Sequence, residues 1–60
     1  MWRVIYITGD EKLAARIQEK LTQEGFLVKI KPSVSKQYEI QVPTSEAAEA
    51  QDMLNVILQS

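Results

Sequence analysis

The sequence predicts an α+β domain of order β-α-β-β-α, a ferredoxin-like fold lacking its last strand, with a three-stranded sheet of order 1-3-2 and two helices on one face. Three observations carry this prediction. β-branched and aromatic residues gather in three short runs, and two longer stretches space their apolar residues as helices do. The first strand–helix unit also echoes the second: shifted by 36 residues, Trp2, Val4, Tyr6 and Thr8 fall on Tyr38, Ile40, Val42 and Thr44, and Ala14 and Ile17 fall on Ala50 and Met53.

Residues 2–8, "WRVIYIT", read as the first strand. Residues 10–24 carry Leu13, Ala14, Ile17 and Leu21 on one helical face, with Lys12, Arg16, Glu19 and Lys20 on the other. Thr8-Gly9-Asp10-Glu11 fits a capping box, in which Thr8 accepts from the Glu11 amide; Asp10 caps instead if the helix starts later. Gly25 suits the left-handed position after the helix, with Phe26 packing back onto its last turn. Residues 26–31, "FLVKIK", form a second strand that Pro32 stops. After the loop "PSVSKQ", residues 38–42, "YEIQV", alternate strictly, and Pro43 closes them. Thr44 or Ser45 caps a second helix over 45–58, with Ala47, Ala50, Leu54, Ile57 and Leu58 as its buried side.

In this topology strand 3 is central and antiparallel to both neighbours, and the right-handed crossover places both helices on the same face. The other face is therefore bare. Strands 2 and 3 present Leu27, Lys29, Lys31, Glu39 and Gln41 there. Strand 1 is different. Trp2, Val4 and Tyr6 form one apolar stripe, Ile5 and Ile7 form the other, and only Arg3 interrupts the second. Whichever stripe meets the helices, the other needs a cover, and an edge strand with unpaired backbone groups invites another chain. These features nominate Arg3, Ile5, Ile7 and Leu27 as a contact surface for a homodimer formed through strand 1 or the bare face.

Composition narrows the function. The chain has 60 residues, no cysteine and no histidine, so a single domain is expected, with neither disulfides nor metal sites built on Cys or His. Carboxylate sites for calcium or magnesium stay formally open, but Asp10 and Glu11 are the one tight acidic pair, and two ligands are weak evidence for such a site. A net charge of −1 opposes general affinity for nucleic acid or anionic membranes. The short apolar run Val4–Ile7 is neither a signal peptide nor a membrane span, so a cytoplasmic location is expected. "TGDEKLA" lacks the spacing of a phosphate loop, and its acids repel phosphate. Ser45 has no histidine to act as its base. Lys29, Lys31 and Lys36 form a weak basic patch without interleaved aromatics, better read as a solvated strand face than as an RNA site. Trp2, Tyr6 and Tyr38 read as core and cross-strand packing rather than a ligand stack. No catalytic constellation and no cofactor is implied.

"MWRVIYIT", "LTQEGFLVKI" and above all "YEIQVPTSEAAEAQDML" resemble the short prokaryotic signal-transducing proteins, a family also treated as a domain of unknown function. The resemblance spans nearly the whole chain, and its marks are structural: a strand running into a helix, an "EGF" turn, and a strand ending "VP" before an Ala- and Glu-rich helix. Where many members have a longer region before "YEI", this chain has only "PSVSKQ". The resemblance implies a bacterial ferredoxin-like or PII-like domain without catalytic residues to carry over. Some short relatives carry a glutamate decarboxylase label. A pyridoxal-phosphate enzyme needs a Schiff-base lysine in a pocket and a phosphate cup, whereas the five lysines here lie on polar faces. The expected function is a non-enzymatic regulatory or interaction domain that associates with itself and senses a small ligand at the sheet face or a subunit interface.

Overall fold

A computed structural model describes residues 1–59. The elements are β1 (Trp2–Thr8), α1 (Glu11–Gln23), β2 (Lys29–Pro32), β3 (Tyr38–Pro43) and α2 (Ala47–Gln59), with short 3-10 turns at Val34–Lys36 and Thr44–Glu46. The sheet order is β1-β3-β2, and both pairings are antiparallel, as the sequence predicts. The core lies between the sheet and the two helices. Ile17, Leu21, Ile40 and Leu54 are fully buried at its centre, and Val42, Ala47 and Ala50 continue it beneath the start of α2.

The two ends of α1 are fixed by local chemistry. Asp10 is the cap: its Oδ1 accepts from the amides of Lys12 and Leu13 at 2.9 and 3.1 Å. The Thr8 hydroxyl accepts one step earlier, from the Asp10 amide at 3.0 Å, so Thr8 is not the cap of a capping box. At the other end Gly25 has φ +94. The Phe26 amide donates to the Leu21 carbonyl and the Gly25 amide to the Thr22 carbonyl, both at 3.0 Å. This is the Schellman pattern, and it turns Phe26 back onto the core.

The start of β2, the cap of α2 and the burial of Leu58 differ from expectation. β2 pairs only from Lys29; continuing its register would set Leu27 opposite Pro43, which has no N–H to donate. The Leu27 amide donates instead to Glu46 Oε1 at 3.2 Å. Thr44 does not cap α2. Its amide and hydroxyl both donate to the Met1 carbonyl, at 2.8 and 3.1 Å, which ties the end of β3 to the start of β1. Leu58 is 40 % exposed, because Ala47, Ala50, Leu54 and Ile57 complete the buried stripe and Leu58 lies about 100° round the helix from Ile57.

β1 settles which of its stripes meets the helices by dividing the task between both. Its pairing runs Arg3↔Val42, Val4↔Gln41, then Tyr6↔Ile40, Ile7↔Glu39 and Thr8↔Tyr38, with a register shift between Val4 and Tyr6. Ile5 is the extra residue of a β-bulge. Directly opposed residues share a face. Arg3 therefore lies on the helix side with buried Val42, and Tyr6 with buried Ile40. Ile5 packs against both parts of the core. The helix-facing residues are odd-numbered before the bulge and even-numbered after it.

Candidate interaction surface

The bulge assembles the open face from Trp2, Val4 and Ile7, which are 44, 41 and 50 % exposed. The sheet register sets these beside the other strands in rows. Val4 stands beside Gln41 and Lys29, and Ile7 beside Glu39 and Lys31. The face thus grades from apolar on β1, through polar on β3, to basic on β2. Gln41 is only 8 % exposed, on the central strand between Val4 and Lys29. Its Nε2 donates to Glu39 Oε1 at 3.0 Å. Above it the Lys29 ammonium reaches across the central strand to lie 5.3 Å from the centre of the Trp2 ring, within cation–π range. The lysine stem covers apolar surface while its charge stays wet.

The four contact residues expected from the sequence do not share one surface. Ile7 stands on the open face, and Leu27, 62 % exposed, lies just before β2. Ile5 is half-buried against the core. Arg3 is on the helix side, where it lines a shallow cleft of about 320 Å³ with Val4, Ile5, Ala47, Ala48 and Gln51. This cleft runs between the outer edge of β1 and the first half of α2. Of its lining residues only Arg3 is charged. Trp2 and Val4, absent from that expectation, are the open-face residues that only the position of the bulge could have identified.

The remaining candidates separate as well. Lys29 and Lys31 share the open face, whereas Lys36 sits in the β2–β3 turn. There Ser35 and Lys36 have φ of 66 and 59, a left-handed pair that L side chains adopt at a cost. Among the aromatics, Tyr6 and Tyr38 pack on the helix-side core and Trp2 lies on the opposite face. The Tyr38 hydroxyl donates to Glu11 Oε2 at 3.1 Å. That hydrogen bond, then the carboxylate's charge, then partial burial hold the phenol's pKa above its ordinary 10.0. Among the described residues no group of three or more Asp, Glu, His or Cys side chains could hold a metal ion, and no helix is long and apolar enough to cross a membrane. No family model, no curated protein and no solved structure matches this chain.

Proposed function

We propose that this chain is a small non-enzymatic interaction domain that works by associating with a second copy of itself, and that its role is regulatory. One observation carries the first part. β1 is apolar on both sides of the sheet and lies at its edge, with Trp2, Val4 and Ile7 standing out on the face that no helix covers. Exposed apolar residues are common when scattered, but a contiguous row of them beside an unpaired edge marks a contact surface. The regulatory part, with a small ligand sensed at the sheet face or between subunits, rests on the resemblance to the signal-transducing family alone. Light scattering across a concentration range is the test. Mass rises from monomer to dimer between low and high micromolar, and Val4→Glu or Ile7→Glu abolishes the rise. A monomer at every concentration would overturn the reading.

A second reading, single-stranded nucleic acid on the open face, has one observation in its favour: Lys29 and Lys31 share that face with an exposed tryptophan. Base stacking on an aromatic next to a basic track is how such platforms work. Three things weigh against it. The net charge is −1, Glu39 stands directly opposite Lys31, and the Lys29 ammonium already occupies one face of the indole. Titration with mixed RNA oligomers decides it, since salt-sensitive shifts at Lys29 and Lys31 are required.

A further inference from the structure

We infer that the second copy joins through the open edge of β1, strand to antiparallel strand across a twofold axis, so that two three-stranded sheets become one of six strands with the two α2 helices side by side above it. This rests on the self-association proposed above and names its geometry. The two edges of the sheet are built differently. β2 carries the usual protections of an edge: it has four residues, two of them lysine, and ends in proline. Short length, lysine and proline are how natural sheets discourage strand addition. β1 has seven residues, and Arg3 is its one charge. Its composition is that of a strand covered on both sides and paired on both edges.

The bulge suits β1 to pair with itself. A bulge in an edge strand often blocks pairing. Here it gives the strand a symmetric order of faces: from Arg3 to Thr8 the residues point to the helix side, open side, helix side, then helix side, open side, helix side. Antiparallel pairing centred between Ile5 and Tyr6 therefore matches every residue with one on the same face. Arg3 lies opposite Thr8 of the second copy, Val4 opposite its Ile7, and Ile5 opposite its Tyr6. The exposed Val4 and Ile7 then cover each other twice. Charge agrees with this register. β1 carries Arg3 near its start and is followed, after Thr8 and Gly9, by Asp10 and Glu11. Antiparallel pairing sets each Arg3 at the end of the other copy's strand that leads to these acids, and never arginine against arginine.

A strand pair alone buries much less than the roughly 800 Å² per partner of a stable interface, so the flank of α2 has to join. That flank is suited to it. Ala48 and Gln51 line the cleft beside β1, and Asn55 and Leu58 follow at helical spacing on the same side. None of the four is charged, although the exposed side of α1 carries Lys12, Arg16, Glu19 and Lys20.

The native chain has no cysteine, so paired cysteines report this register directly. In Val4→Cys/Ile7→Cys the two thiols of one chain are three residues apart, about 10 Å along a strand. That is beyond disulfide reach, while the pairing brings each within reach of the other copy. Mild oxidation is expected to convert most of this variant to covalent dimer, and likewise Arg3→Cys/Thr8→Cys on the other face. The four single variants remain largely uncrosslinked. If light scattering finds a dimer and neither double variant crosslinks, the edge geometry is overturned and self-association stands. If the native chain is monomeric throughout, both fall.

Discussion

Tyr38 and Glu11 are 27 positions apart in sequence, yet the phenol donates to the carboxylate across the end of the sheet. The phenol's pKa is raised in the folded state, so this contact's contribution to stability is complete below the ordinary 10.0 and is lost as pH climbs through the raised value. In a Tyr6→Phe background, where Tyr38 is the sole tyrosine, phenolate absorbance should titrate later than for a free tyrosine, and Glu11→Gln should move it back. Two backbone positions make further predictions. Gly25 has φ +94 with open space around its Cα, so Gly25→Ala should cost about 1 kcal/mol through backbone strain alone. Ser35 and Lys36 occupy left-handed conformations without being glycine. Ser35→Asn/Lys36→Gly, which puts there the residue types that best tolerate a positive φ, should therefore stabilise by about 1 kcal/mol in urea unfolding.

At the scale of elements, the lesson lies in β1. The helices, the Schellman turn and the order of the strands were legible because periodicity, Gly25 and the prolines mark them. The facing of β1 was not. Every position from Val4 to Ile7 is apolar, so a one-residue bulge leaves no trace in the hydrophobic pattern; only the alternation of β3 across the ladder reveals it. For the same reason Arg3, Ile5 and Ile7, which share a stripe in a regular strand, end up in a cleft, in the core and on the open face. The caps show a similar limit. Thr8, Asp10, Thr44 and Ser45 are all capping types; Asp10 prevails over Thr8 through local bonds to Lys12 and Leu13, whereas Thr44 is drawn away by a partner 43 positions distant, the Met1 carbonyl. The bulge also makes neighbouring isoleucines differ. Ile5→Ala should cost about 2 kcal/mol by removing a side chain packed on both parts of the core. Ile7→Ala, measured in dilute solution, should cost less than about 1 kcal/mol.

On the scale of the whole molecule, a chain of this size buries only about 60 % of the surface its unfolded form exposes and is marginally stable alone. Pairing of β1 edges would extend the sheet, enclose the cleft beside α2 and place a doubly apolar strand at the centre of six. Association then stabilises the fold by mass action. The melting temperature should rise with protein concentration in the native chain and become independent of it in Val4→Glu. Amide hydrogen exchange at two concentrations tests the claim most directly, because the sheet holds its own control. The outward amides of β1 should exchange about tenfold or more slowly at high micromolar concentration than in dilute solution, while those of β2 do not change. Outward β1 amides that exchange at the same rate at both concentrations would contradict the account.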